Sequence, residues 1–312
     1  MSRRMSDVVL CECFARDGLQ HEPEFVPTPT KQALIERFAA LGFQRVEATS
    51  YSNPKVVPQF ADASTLLQSL PRRAGVHYKA TCANVRAVER ALADLERGFG
   101  VTEISLLVSA SEAHSQKNLR QSRAGQWDNV RKMATAAERC FRLIGTISVA
   151  FGCPFEGAVD ADVVVADAVR FGEAGVDHVA LGDTTGMATP AAMKDLVGRL
   201  RRAAPDITLI AHLHDTRGTG LVNALAAYDA GVRYFDCSFG GVGGHPAQVK
   251  YGGGYTGNVC TEDLVNLLES LGVDTGIDLA GLIETAQLCE QTLGRELHGR
   301  VTRSGLSPLL RS

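Results

Sequence analysis

The sequence predicts an α/β fold: a (β/α)8 TIM barrel with extra C-terminal helices. Three observations carry this. Short β-type runs alternate with amphipathic stretches, giving eight strand–helix units in about 230 residues. No low-complexity linker divides them. Polar motifs recur after many strands, and no GxGxxG follows the first one. Both facts count against the runner-up, an open doubly wound sheet with a single switch point.

The β-type runs are residues 8–14, 43–48, 75–80, 102–108, 144–151, 178–181, 207–213 and 234–238. Helical patterns lie between them at 31–41, 85–96, 128–142, 161–174, 191–202 and 221–230. The first places Leu34, Ile35, Phe38 and Leu41 on one face. Gly42, Gly175 and Gly231 each stand where a helix should turn into the next strand, because glycine tolerates positive φ at C′. After residue 238 the pattern changes. Gly240-Gly241-Val242-Gly243-Gly244 and Gly252-Gly253-Gly254 flank a long loop, a candidate lid. Residues 262–293 read as two more helices. The expected organisation is one domain over 1–312, with the barrel over about 8–275 and a helical extension over about 276–312.

Net charge is −3, so there is no electrostatic case for nucleic acid or an anionic membrane. No apolar run nears the roughly 18 residues of a membrane span. The opening MSRRMSD is followed by no adequate apolar region, which argues against a secretory signal. Several of the eight cysteines sit inside apolar, strand-like runs and read as packed, reduced thiols. The expected location is cytoplasmic.

The strongest local signal is His212-Leu213-His214-Asp215 at the end of the seventh strand. Alternate strand residues share a face, so both imidazoles point one way. The alternative is a pair of partly buried polar residues. The carboxyl end of a barrel strand, where active sites gather, favours metal ligands. After the first strand come Arg16-Asp17-Gly18-Leu19-Gln20. Asp17 offers a hard oxygen. Arg16 offers a planar, permanent cation suited to a developing oxyanion. Alone, the pair reads equally as a surface salt bridge. Glu47 ends the second strand and Asp183 the sixth, where carboxylates suit a supporting shell around a metal.

These residues resemble the 3-hydroxy-3-methylglutaryl-CoA lyase family. The matching stretches are Arg16 to Gln20, TSYSNPKVVPQFAD over 49–62, Ser111-Glu112 with Lys117-Asn118, GCPFEG over 152–157, Leu181-Gly182-Asp183-Thr184, His212-x-His214-Asp215-Thr216 and Gly257-Asn258-x-x-Thr261-Glu262-Asp263-Leu264. The resemblance implies four metal ligands: Asp17, His212, His214 and Asn258. It implies Mg²⁺ or Mn²⁺, which suit oxygen and imidazole donors. It implies that Arg16 faces the thioester oxygen and that Glu47 and Asp183 support ligands or substrate. Asn53, Lys55, Ser111, Lys117 and Asn118 are the implied coenzyme A contacts. The implied reaction cleaves a 3-hydroxyacyl-CoA to acetyl-CoA and an oxo acid, by a homodimer.

Two departures stand out. The family's glycine-rich loop carries a catalytic cysteine where this chain has His245, a residue able to move protons near neutral pH. The alternative is a loop histidine without a role. His21 and Pro23 stand where the lyases usually carry Asn and Lys. Both changes lie on the substrate side, so the expectation is a retained reaction with a different acyl group, citramalyl-CoA being one candidate. The competing readings are a CoA-independent 2-oxo-acid aldolase and a barrel that binds without catalysing.

Overall fold

The computed structural model describes residues 6–137, 139–244 and 257–311. Eight parallel strands close into a barrel in sequence order. They are β1 (Val9–Glu12), β2 (Arg45–Ser50), β3 (His77–Cys82), β4 (Glu103–Ser109), β5 (Arg142–Ser148), β6 (His178–Asp183), β7 (Thr208–Leu213) and β8 (Tyr234–Cys237). Closure comes from β1 pairing with β8, Val9 opposite Tyr234 through Glu12 opposite Cys237. The helices are α1 (Thr28–Leu41), α2 (Ala63–Ser69), α3 (Val85–Glu96), α4 (Glu112–His114), α5 (Arg123–Ala137), α6 (Ala161–Glu173), α7 (Pro190–Ala203), α8 (Gly220–Asp229), α9 (Thr261–Ser270), α10 (Leu279–Leu293) and α11 (Arg300–Ser304). No helix among the described residues is long and apolar enough to cross a membrane.

Local chemistry explains the element ends. Asn84, Asp160, Thr189 and Asp278 each cap a helix by accepting a backbone N–H of its first turn. Gly42, Gly175 and Gly231 adopt φ of 114°, 80° and 94°, the left-handed turn expected of them. The pattern at 128–142 is corrected. That helix begins at Arg123, where Ser122 Oγ accepts from Gly125 N at 3.1 Å, and ends at Ala137. Arg139 then takes a φ of 65°, and Arg142 already belongs to β5, opposite Glu103. Val149, with φ 53°, ends that strand three residues before the position the apolar run suggested. Helix α2, which the hydropathy pattern did not single out, is short and buries Ala63, Leu66 and Leu67 on one face.

The main core lies between strands and helices, with Phe38 stacked on Phe239 and Trp127 against Phe171. The barrel interior is different. A small apolar plug of Ile144, Ala180 and Ile210, backed by Tyr234, fills part of it. Beside it stand buried charges: Arg45, Glu47, Lys79, Glu103 and Asp236. Such charges persist only when paired. Arg45 Nε meets Glu103 Oε2 at 2.9 Å, and Arg142 Nη1 meets Glu103 Oε1 at 2.8 Å. The last helices tie back to the barrel mouth. Glu262 on α9 accepts from Gly240 N at 3.0 Å and Thr302 Oγ1 at 2.7 Å, and Asp263 accepts from Val301 N at 2.8 Å.

Candidate active site

The first polar motif is fixed by a buried carboxyl. Glu12, the last residue of β1, accepts from Phe14 N at 2.9 Å, Phe239 N at 3.1 Å and Thr261 Oγ1 at 2.6 Å. Burial pushes its carboxyl up to about 8, against those three hydrogen bonds. The chain then makes one wide helical turn, Phe14–Gly18. It packs tightly: a Cβ on Gly18 would stand 2.7 Å from Val242 Cγ2. Arg16 and Asp17 are thereby held at the carboxyl end of the barrel, on the wall of a cavity of about 500 Å³.

Asp17, His212 and His214 converge there, with one ligand-type atom of each within 4.8 Å of the others. The two histidines share a face of β7 and its continuation, and their Nε2 atoms are 3.3 Å apart. Asp236 Oδ2 lies 3.2 Å from His212 Nδ1. An ionised carboxylate can only accept, so Nδ1 carries a proton and Nε2 is the nitrogen turned toward the cluster. Asn258 arrives by pairing with the end of β7: Asp215 N donates to Gly257 O at 2.8 Å, and Val259 N to Leu213 O at 2.9 Å. Its Nδ2 donates to Asp17 Oδ2 at 2.5 Å and to Val242 O at 3.0 Å. Its Oδ1 is buried and has no hydrogen-bond partner among the described residues, which suits an oxygen ligand. Burial would raise the Asp17 carboxyl, but Arg16, His212 and His214 outweigh it and hold it at about 2. The Asp17 carboxylate is therefore ionised across the neutral range.

Arg16 is gripped from three sides. Its Nη1 meets Asp17 at 2.5 Å, its Nε meets Glu47 Oε1 at 3.0 Å, and both Nε and Nη2 donate to Thr81 Oγ1 at 3.0 and 2.6 Å. Thr81 Oγ1 in turn donates to Glu47 Oε1 at 2.7 Å. Opposite this cluster the wall carries hydroxyls: Ser105, Thr146, Ser148 and Thr184, with Leu107 among them. Asn53, Lys117, Asn118 and Arg120 also line the cavity. Lys117 Nζ lies 3.7 Å from the ring centre of Phe155.

Not every expected residue reaches this cavity. Asp183 pairs in register with Leu213, whereas Gly182 pairs with cavity-facing His212. Asp183 thus takes the helix-facing side, where Oδ1 accepts from Met187 N at 2.7 Å and Ala188 N at 3.1 Å. It shapes the following loop, and burial raises its carboxyl to about 6. Ser111 is buried off the cavity wall; its Oγ caps α4 by accepting from His114 N at 3.1 Å and lies 3.0 Å from Cys153 Sγ. Lys55 is exposed and off the wall, its backbone N–H bound by Asn53 Oδ1. His245 lies outside the described residues.

Three residues that the motif reading passed over belong to the site: Lys79, Thr81 and Asp236. A strand-period signal marks them. Lys79 and Thr81 are two apart on β3, and Asp236 sits opposite His212 across the β7–β8 ladder. Cys11, Cys13 and Asp236 form a second compact group of potential ligands. Asp236 already faces Arg45 at 3.6 Å and Lys79 at 3.4 Å, and those fixed cations oppose a metal ion there.

Known proteins share this architecture. The HMGL-like family model matches residues 7–289. The mitochondrial hydroxymethylglutaryl-CoA lyase of Rattus norvegicus is 37% identical over 300 residues, covering 95% of this chain and 89% of the relative. The (R)-citramalyl-CoA lyase of Chloroflexus aurantiacus is 36% identical over 308 residues, covering 96% of each. Among solved structures, an HMG-CoA lyase from Acinetobacter baumannii in complex with coenzyme A and 3-methylmalate superposes with a TM-score of 0.89 at 34% identity, covering 96% of both chains. A family model spanning most of the sequence, full-length relatives well above 30% identity and a matching barrel agree: this chain belongs to the HMGL-like family.

Proposed function

We propose that this protein is a divalent-cation-dependent carbon–carbon lyase that cleaves a short 3-hydroxyacyl-CoA to acetyl-CoA and an oxo acid. One observation carries the reading: Asp17, His212 and His214 converge beside the fixed guanidinium of Arg16, with Asn258 bonded to Asp17 and its buried Oδ1 left without a hydrogen-bond partner among the described residues. Two imidazoles with hard oxygens fit Mg²⁺ or Mn²⁺ better than a thiolate-seeking ion. A cation held there supplies Lewis acidity that makes a neighbouring β-hydroxyl easier to deprotonate.

The chain's own residues account for the rest. As the β-hydroxyl loses its proton and becomes a carbonyl, the bond between the α and β carbons breaks. Its electron pair passes to the thioester as an enolate. Arg16, locked by Asp17, Glu47 and Thr81, places a permanent cation where that negative charge grows, without reorganising. The enolate carbon then takes a proton; His245 is proposed to accept the proton that the β-hydroxyl loses and to return it to that carbon. Lys117 and Arg120, on the cavity wall, suit the phosphates of coenzyme A. The hydroxyl-bearing wall of Ser105, Thr146, Ser148 and Thr184 suits a short acyl group with a polar end. All eight cysteines are free thiols, which fits a reducing compartment, and the cytoplasm is the proposed location.

Citramalyl-CoA is the second substrate reading, favoured by the full-length similarity to the Chloroflexus aurantiacus enzyme. A product assay decides. The Mn²⁺- or Mg²⁺-loaded protein is incubated with each thioester, with EDTA as the control. Acetyl-CoA with acetoacetate marks the hydroxymethylglutaryl substrate, and acetyl-CoA with pyruvate marks citramalyl-CoA. If no thioester in a panel of 3-hydroxyacyl-CoAs releases acetyl-CoA, the lyase reading is lost.

A further inference from the structure

We propose that Lys79 is a positioning residue, closing a ring of charges around the cation centre and setting Arg16 and His212 at once. It lies on the cavity wall, almost wholly buried, on the inner face of β3. Its Nζ stands between two carboxylates, 3.5 Å from Glu47 Oε2 and 3.4 Å from Asp236 Oδ2. Each carboxylate holds a different functional group. Glu47 Oε1 holds Arg16 Nε at 3.0 Å, and Asp236 Oδ2 holds His212 Nδ1 at 3.2 Å. From His212 the ring returns through His214 at 3.3 Å and on to Asp17, 4.0 Å from His214, which contacts Arg16.

The geometry gives Lys79 a task beyond neutralisation. A free carboxylate tends to grip a guanidinium with both oxygens in a planar fork. Lys79 occupies the second oxygen of Glu47, so Glu47 meets Arg16 through Nε. Arg16's remaining edges are then left to Thr81, Asp17 and the cavity. Without Lys79, Glu47 turns to fork Arg16 and draws it off the substrate oxygen. Asp236 loses the same support. Its other neighbour, Arg45, is 3.6 Å from Oδ1 and pulls the carboxylate away from His212. One ammonium thus governs the oxyanion cation and a ligand imidazole together. A bland alternative makes Lys79 a counter-charge for two buried acids, with no demand on where its nitrogen sits.

Two variants separate these. Lys79→Met removes the charge. Lys79→Arg keeps it but replaces a point donor with a wide planar head. Mn²⁺ affinity is read by the electron paramagnetic resonance of free Mn²⁺, and folding by circular dichroism and Tm. Turnover uses the thioester the wild type cleaves, so that arm alone rests on the lyase reading. For Lys79→Met we expect Mn²⁺ binding weakened about fivefold or more and kcat lowered about tenfold or more, with KM within about threefold. For Lys79→Arg, folded, we expect kcat lowered about threefold or more at similar KM. If Lys79→Met does not fold, Lys79→Arg decides. A folded Lys79→Arg within about twofold of wild type in both Mn²⁺ affinity and kcat overturns the proposal in favour of simple neutralisation. Should the wild type cleave no thioester, the lyase reading fails, and Mn²⁺ affinity still decides the role of Lys79.

Discussion

Replacing Thr81 with valine swaps one hydroxyl for a methyl of similar shape, and the structure says what that oxygen is worth. Thr81 Oγ1 accepts from Arg16 Nε at 3.0 Å and Nη2 at 2.6 Å and donates to Glu47 Oε1 at 2.7 Å. Arg16 Nε keeps Glu47 Oε1 at 3.0 Å, and Nη1 keeps Asp17. Valine therefore removes two hydrogen bonds to charged groups, Nη2 to Oγ1 and Oγ1 to Glu47 Oε1; the first, which alone bears directly on Arg16, is worth about 1.5–3 kcal/mol. Arg16 is proposed to act on charge that appears in the transition state, so this loss reads out in catalysis. It corresponds to a fall of roughly 10- to 150-fold in kcat/KM. Thr81 makes no hydrogen bond to Asp17, His212, His214 or Asn258, so Mn²⁺ affinity is expected to stay within about threefold. The assay is steady-state cleavage of the thioester the wild type accepts, paired with a Mn²⁺ titration. Thr81→Ser, which keeps the oxygen, is expected to recover most of the loss. A Thr81→Val enzyme within about twofold of wild type in kcat/KM would refute the idea that Arg16 must be held from this side.

Two other changes probe the scaffold. Gly243 has a φ of 134°, and a Cβ there would overlap Asn258 Nδ2 and stand 3.0 Å from Asp17 Oδ2. Gly243→Ala is therefore expected to weaken Mn²⁺ binding about tenfold or more, measured by calorimetric titration, and an unchanged affinity would count against Asn258 as a ligand. Glu12 concerns pH. Burial lifts its native carboxyl to about 8, whereas the unfolded chain ionises near 4.5. The native state then binds the extra proton between those values, so wild-type stability falls as pH rises through that window, by at most about 1.4 kcal/mol per unit. Glu12→Gln cannot ionise and lacks that slope. Urea unfolding at about pH 5.5 and 7.5 compares them, and parallel pH dependence in the two proteins would mean that native Glu12 is already ionised.

The residues that were easy to read and those that were not differ in how their signal is carried. His212 and His214 were legible because strand alternation makes i and i+2 neighbours without any tertiary knowledge. Asp17 was legible as a charged turn after a strand. Glu47 and Asp183 looked equivalent in sequence, both acids near strand ends. They part because a strand has two faces: β6 turns Gly182 inward with His212 and Asp183 outward with Leu213. Ser111 and Lys55 belonged to matching stretches, yet one lies beneath a loop as a helix cap and the other projects into solvent. Lys79 and Asp236 escaped notice because each is a lone charge in an apolar strand. Their meaning rests on each other and on Glu47.

Alternating hydrophobic periods, glycine stops and polar strand ends were enough to determine a closed barrel with its chemistry at the carboxyl end, because those features act over a few residues of contiguous chain. Tertiary structure alone decided which charges meet. Closure brings β1 beside β8 and carries Asn258, 241 positions from Asp17, to within 2.5 Å of it. Coulomb and hydrogen-bond energies fall steeply with distance. Such pairings are therefore a property of the folded barrel and of no shorter segment.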